Sequence, residues 1–218
     1  MTTEDTAMSW WDSYRAVYRA ELKASAFELA DHGWPVLRGN YWQADRWVGA
    51  EGASVTGLAP LDVDGLAASR DPAEVDAWWS ERPYSVLLAT GFVVDAIEVS
   101  ALVGRRVCAS LRETDLVVPV AATPTGRWWF AVRAGEALRP ELASRPDVIL
   151  HSRGSWVAAP PSEGPQGVVH WRVPPPACGW SLPDPCDLQV ALLEVLGQRP
   201  PVVPADTGLG SVGTGVRS

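Results

Sequence analysis

The stretch from Asp71 to Val94 constrains the fold most. Asp71-Pro72-Ala73-Glu74 combines a capping carboxylate, a proline at the first helical position where its missing N–H is harmless, and a glutamate placed to complete the cap. Val75, Trp78 and Trp79 give this helix an apolar stripe, and Pro83 stops it. Trp78 and Trp79 sit about 100° apart around the axis, so both cannot face the core. Trp78, three residues from Val75, is assigned to the core and Trp79 to a more exposed position. Beyond Pro83, Ser85-Val86-Leu87-Leu88-Ala89 and Gly91-Phe92-Val93-Val94 are apolar runs too short for helices. They read as two buried strands joined by a Thr90-Gly91 turn, a hairpin.

The remaining pattern extends the same mixture. Ser9-Trp10-Trp11-Asp12 resembles a helix cap, and apolar residues recur at helical spacing from Tyr14 to Ala30 before His32-Gly33 closes the helix. Trp34 to Leu37 reads as an edge or starting strand because of Pro35. Residues 39–70 have weak periodicity and read as irregular. Ser100 caps a helix carrying Val103, Val107 and Leu111, and strands at 116–122 and 127–133 flank a Thr123-Pro124-Thr125-Gly126 turn. Pro140 to Ser144 is a short helix, and short strands follow at 148–150, 156–159 and 168–171. A last helix spans 187–196 with Asp184 and Pro185 in capping positions. The result is an α+β fold, a mostly antiparallel or mixed sheet flanked by helices. Residues 1–198 are expected to form one domain. Residues 199–218, rich in Pro and Gly with no apolar face, are expected to be a disordered tail.

Composition narrows the function classes. With 218 residues and 47% hydrophobic content, a substantial core is affordable but a second full domain is not. No membrane-length apolar run is present, and the acidic start lacks the basic region of a signal peptide, so a cytoplasmic location is expected. Cys108, Cys178 and Cys186 have no metal-site spacing and read as idle thiols. Seventeen of the eighteen basic residues are Arg; the lone Lys23 has no P-loop before it, which argues against a Walker motif or a Schiff base. The twelve Trp read as core and packing residues, with base-stacking platforms as the alternative. Net charge is −8, but residues 101–160 carry eight Arg and five acidic residues, the one segment able to face phosphate. Asp62-Val63-Asp64-Gly65 lacks the ligand ladder of a calcium loop.

Four motifs carry a family resemblance. Leu29-Ala30-Asp31-His32-Gly33-Trp34-Pro35-Val36 opens the series, and Asp71-Pro72 to Trp78-Trp79 follows. Thr123-Pro124-Thr125-Gly126-Arg127 and Gly154-Ser155-Trp156-Val157-Ala158-Ala159-Pro160-Pro161-Ser162 complete it. In this order they resemble the bifunctional DNA primase/polymerase N-terminal domains, over about residues 24–173. The resemblance implies a divalent-metal nucleotidyltransferase in which two aspartates, one residue apart on a strand, share a face. Here the matching register puts Glu98 and Ser100 at those positions. Asp95 and Glu98 are the candidate metal ligands, yet on a regular strand they point to opposite faces unless a bulge intervenes.

Further departures follow from the same comparison. The family's histidine after the glycine turn is replaced by Trp128-Trp129, and its third acidic position falls near Ile149 or His151, with Asp147 close by. Arg127, His151 and Arg153 are the candidate nucleotide- or phosphate-binding residues. The expectation is a degenerate, catalytically inactive primase/polymerase-like domain that binds nucleoside triphosphate or single-stranded DNA in a DNA-linked or regulatory role. One alternative is an active template-dependent nucleotidyltransferase with a remodelled site, which alone would need Mg²⁺ or Mn²⁺. The other is a tryptophan-rich module that docks a protein partner without nucleic acid.

Overall fold

A computed structural model describes residues 3–62 and 67–197. The tail expected from Arg199, and Asp64 and Gly65 of the aspartate motif, lie outside the described residues. Helix α1 (Thr3–Asp31) starts ahead of Ser9, which therefore lies inside the helix and does not cap it. Leu22, Ala26, Leu29 and Ala30 form its buried stripe. The helix ends as expected, with the Gly33 N–H donating to the Ala30 carbonyl, and leads into β1 (Val36–Gly39). The segment expected to be irregular instead holds an antiparallel meander, β2 (Tyr41–Gln43), β3 (Arg46–Val48) and β4 (Ser54–Val55). Its first turn is made by Ala44 and Asp45, both at positive φ. That geometry suits a tight hairpin, but these residues carry no glycine to announce it.

Helix α2 (Pro72–Glu81) has the expected cap: the Asp71 side chain accepts from the Ala73 N–H at 2.9 Å. Its tryptophans are reversed relative to expectation. Trp79 is buried and Trp78 is half-buried. Val75 and Trp79, four residues apart, share the inward face, and the Trp79 indole N–H donates to the Tyr84 carbonyl at 2.8 Å. Trp78 faces outward enough for the Arg38 guanidinium to stack over it at 4.6 Å.

The chain continues through β5 (Ser85–Ala89), β6 (Val94–Ser100), α3 (Ala101–Leu111), β7 (Val120–Ala122) and β8 (Arg127–Arg133). Then come α4 (Pro140–Ala143), β9 (Ile149–His151), β10 (Trp156–Ala158), β11 (Glu163–Gly164), β12 (Gly167–Val168), β13 (His170–Val173) and α5 (Pro185–Gly197). The main sheet has the order β13-β7-β8-β6-β9 and a second has β1-β5-β10; every pairing in both is antiparallel. This is the expected α+β class. Core side chains fill both faces of the main sheet: Val94, Ala96 and Trp129 pack toward α1 and β5, while Ile97, Val99 and Phe130 pack toward α3 and α5. Among the described residues no helix is long and apolar enough to cross a membrane.

The β5–β6 hairpin does not form, because the two strands belong to different sheets. Gly91 redirects the chain at φ +93°, a conformation that L side chains resist. A Cβ there would lie 2.1 Å from Arg153 Cα. The chain crosses between the same sheets again at residues 152–155, and the two crossings touch. The Thr90 N–H donates to the Ser155 carbonyl at 3.0 Å and the Thr90 hydroxyl to the Ser152 carbonyl at 2.7 Å.

Candidate functional site

Strand β6 pairs with β8 without a break, from Val94 opposite Arg133 to Ser100 opposite Arg127. Strict alternation therefore holds, and Asp95 and Glu98 lie on opposite faces. Asp95 is buried; its Oδ2 accepts from the Gly135 N–H at 3.0 Å and its Oδ1 has no partner among the described residues. Burial pushes its carboxyl above the ordinary value, against the opposing effect of the Gly135 and Gly91 N–H groups. Ser100 is committed elsewhere, its hydroxyl accepting from the Val103 N–H as the cap of α3.

Glu98 stands at the centre of a cluster. The Thr123–Gly126 turn, closed by the Thr123 N–H donating to the Arg127 carbonyl at 2.8 Å, starts β8 so that the Arg127 side chain reaches back along the sheet. Arg127 Nε donates to Glu98 Oε1 at 2.7 Å, and its Nη2 reaches the Asp147 carbonyl at 3.2 Å. From the other side, β9 pairs Glu98 with Ile149, which places His151 two residues along on the same face. His151 Nε2 lies 2.9 Å from Glu98 Oε2, and its Nδ1 lies 3.1 Å from the Ser155 hydroxyl. With Nε2 donating to the carboxylate, Nδ1 of the neutral ring accepts from Ser155. Burial alone would raise the Glu98 carboxyl, but hydrogen bonds from His151 and Arg127 outweigh it and hold the group below its ordinary value.

Glu98, His151 and Ser155 border a cleft of about 380 Å³, lined also by Thr123, Trp129 and Trp156, while Arg127 holds Glu98 from outside that lining. The cleft spans the two sheets, since Trp156 belongs to β10 while Glu98 and Trp129 belong to the main sheet. Arg153 is not part of the cluster: it is exposed on the turn between β9 and β10, its guanidinium 5.7 Å from the Phe92 ring. Ser155 and Thr123 were not singled out as site residues from sequence. Both lie inside family motifs, Ser155 in Gly154–Ser162 and Thr123 in Thr123–Arg127, which was the signal that could have found them.

The donor set does not suit a pair of hard divalent ions, which take clustered oxygens. Glu98 is the one carboxylate on the cleft, and both its oxygens are engaged by nitrogen donors, one of them a guanidinium that cannot ligate a metal. Among the described residues no group of three or more His, Cys, Asp or Glu is placed to hold a metal.

No curated protein and no solved structure matches the chain. Residues 26–186, most of the chain, match the family described as bifunctional DNA primase/polymerase, N-terminal. The motifs that suggested this family from sequence fall within the same span, two of them, Thr123–Arg127 and Gly154–Ser162, supplying residues that line the cleft, and the chain belongs to the bifunctional DNA primase/polymerase N-terminal family.

Proposed function

We propose that this domain binds the phosphates of a nucleoside triphosphate or of single-stranded DNA in the Glu98 cleft and does not extend primers. The observation that carries the reading is the closed Arg127–Glu98–His151 network, which replaces the open carboxylates that metal-dependent phosphoryl transfer requires. Phosphate affinity depends instead on positive groups and hydrogen-bond donors. Arg153, on the turn between β9 and β10 and outside the lining of the cleft, has no carboxylate within ion-pair distance among the described residues, and His151, Ser155 and Thr123 supply polar groups along the cleft itself. A docking surface built of tryptophan has less support. Every tryptophan from Trp34 to Trp180 is buried or half-buried, and the exposed Phe92 has an arginine beside it.

The test has two arms. Primed template with all nucleotides and Mg²⁺ or Mn²⁺ should give no extension; extension abolished by Glu98→Ala overturns the proposal. Labelled single-stranded DNA and a nucleoside triphosphate, titrated at low and moderate salt, should bind in a salt-sensitive way that His151→Ala and Arg153→Ala weaken. Absence of salt-sensitive binding in the wild type makes protein docking the better reading.

A further inference from the structure

The face of the main sheet opposite Glu98 carries a larger cavity, of about 510 Å³, between α3, the segment that follows it, β8 and β13. That size falls within the range of roughly 300–1,000 Å³ usual for small-molecule sites. Its walls include Leu111, Val120 and Trp128, and its charged groups are Arg105, Arg112 and Arg172. Arg105 on α3 and Arg112, which caps its C-terminal end, are seven residues apart, with Cys108 between them on the same side. Arg38, Arg127, Arg133 and Arg145 each have a carboxylate partner, whereas Arg105, Arg112 and Arg172 have none among the described residues. The three guanidiniums give the rim of one cavity an excess of positive charge, which favours an anionic ligand.

Two backbone features hold this arrangement in place. The β13–β7 ladder shifts register between Trp171 and Val173, leaving Arg172 as the extra residue of a bulge. Regular alternation would send Arg172 and Val173 to opposite faces. With the bulge, Val173 packs into the α3-side core and the Arg172 guanidinium sits 5.2 Å from the centre of the Trp128 ring, on that same side. Meanwhile Gly104 lets α3 approach the indole closely, since a Cβ there would lie 2.7 Å from Trp128 Cε3. Burial pushes the Cys108 thiol up while Arg112 and Arg172 pull it down, so the helix and strand arginines act on one point in space.

We infer that this cavity is a second ligand site, separate from the Glu98 cleft, for a small organic polyphosphate whose charged end is held by Arg105, Arg112 and Arg172. Guanidinium forks match phosphate oxygens in pairs, and three of them suit a ligand bearing more than one negative charge. The apolar walls with Trp128 leave room for an uncharged body beside the phosphates.

Calorimetric titration of the full chain with inorganic tripolyphosphate, ATP and adenosine separates the two ends of the ligand. Tripolyphosphate should bind, ATP should bind more tightly, and adenosine should bind weakest. Arg105→Ala/Arg112→Ala, and independently Arg172→Ala, should lower the tripolyphosphate affinity by about tenfold or more, the scale of losing a charge-assisted hydrogen bond. All three side chains are exposed, so folding is checked by an unchanged circular dichroism spectrum, with Arg105→Gln/Arg112→Gln as the milder pair. In a Cys178→Ser/Cys186→Ser background, saturating ATP should slow modification of Cys108 by a thiol reagent. Unchanged affinity in the arginine variants, or no protection of Cys108, overturns the inference. Affinity lost in His151→Ala and Arg153→Ala but kept in the cavity variants supports the Glu98 cleft alone and also overturns it. The reverse pattern supports this cavity and counts against the cleft.

Discussion

Replacing Glu98 with alanine tests whether the group is a metal ligand or the hub of an ion-pair network. A carboxylate kept for metal binding is repelled by its neighbours, so its removal is neutral or stabilising. A hub is different: Glu98 accepts one charge-assisted bond from Arg127 and one from His151, each worth roughly 1.5–3 kcal/mol. The three side chains are 17–25% exposed, so water partly replaces what is lost. Glu98→Ala should therefore destabilise by about 2–4 kcal/mol, below the cost of breaking a fully buried pair. Glu98→Gln, which keeps the shape and one acceptor, should cost less. Urea unfolding measures both as shifts of midpoint at constant slope. The pH dependence has a definite sign. The folded-state carboxyl titrates below its ordinary 4.5, so the network's contribution is present above pH 4.5 and is lost as pH falls through the lower folded value. The gap between wild type and Glu98→Ala should narrow over that acid range. Added Mg²⁺ or Mn²⁺ should leave the midpoint in place, whereas a bound ion at a hundredfold excess over its Kd would add about 2.7 kcal/mol. A neutral Glu98→Ala, together with metal stabilisation that the substitution removes, refutes the reasoning.

Trp79→Ala should cost about 3–5 kcal/mol and Trp78→Ala about 1, because only the former empties a buried site; equal midpoints in urea would contradict the packing. Trp79→Phe should fall between them, at about 1–2 kcal/mol, since it leaves the Tyr84 carbonyl without its donor. Gly91→Ala should lower stability by about 2–4 kcal/mol in thermal melts, from the forced φ and the collision with the Arg153 backbone; a melt within error of wild type would show that the crossing can shift. For Asp95, whose folded carboxyl titrates above its ordinary 3.8, wild-type stability falls as pH rises from 3.8 through the folded value. Asp95→Asn should remove that fall, so identical pH profiles for the two proteins would count against a buried, half-satisfied carboxylate.

Local signals were readable in the sequence because their physics is local. The Asp71 and Ser100 caps, the Gly33 terminus and the Thr123–Gly126 turn all stand where the residue pattern puts them. Strand partnership was not readable for β5, whose neighbours come from residues 36–39 and 156–158; nothing in the run Ser85–Ala89 distinguishes those partners from the next apolar stretch. Trp79 was misassigned because its anchor, the Tyr84 carbonyl, lies beyond the helix and outside any periodicity. At the site, Glu98, Arg127 and His151 were each named from the family pattern, but their mutual bonding depends on the β6–β9 register. Arg153, two residues from His151 in sequence, turns to Phe92 because the tight crossing at Gly91 carries it away from the cluster.

The crossing at residues 152–155 has a further consequence. Strands β9 and β10 follow one another across it, and each is the outermost strand of its own sheet. Neighbouring strands joined by so short a turn ordinarily zip together, and here that would fuse the two sheets into one continuous ribbon and erase the cleft. The Trp129 indole N–H occupies the Ala158 carbonyl at 3.0 Å, and the Thr90 bonds hold the two turns together, so the gap persists. The cleft is in effect a ladder left unbuilt. Two edge strands that follow one another in the chain thus stay unpaired with each other, each closing its own sheet.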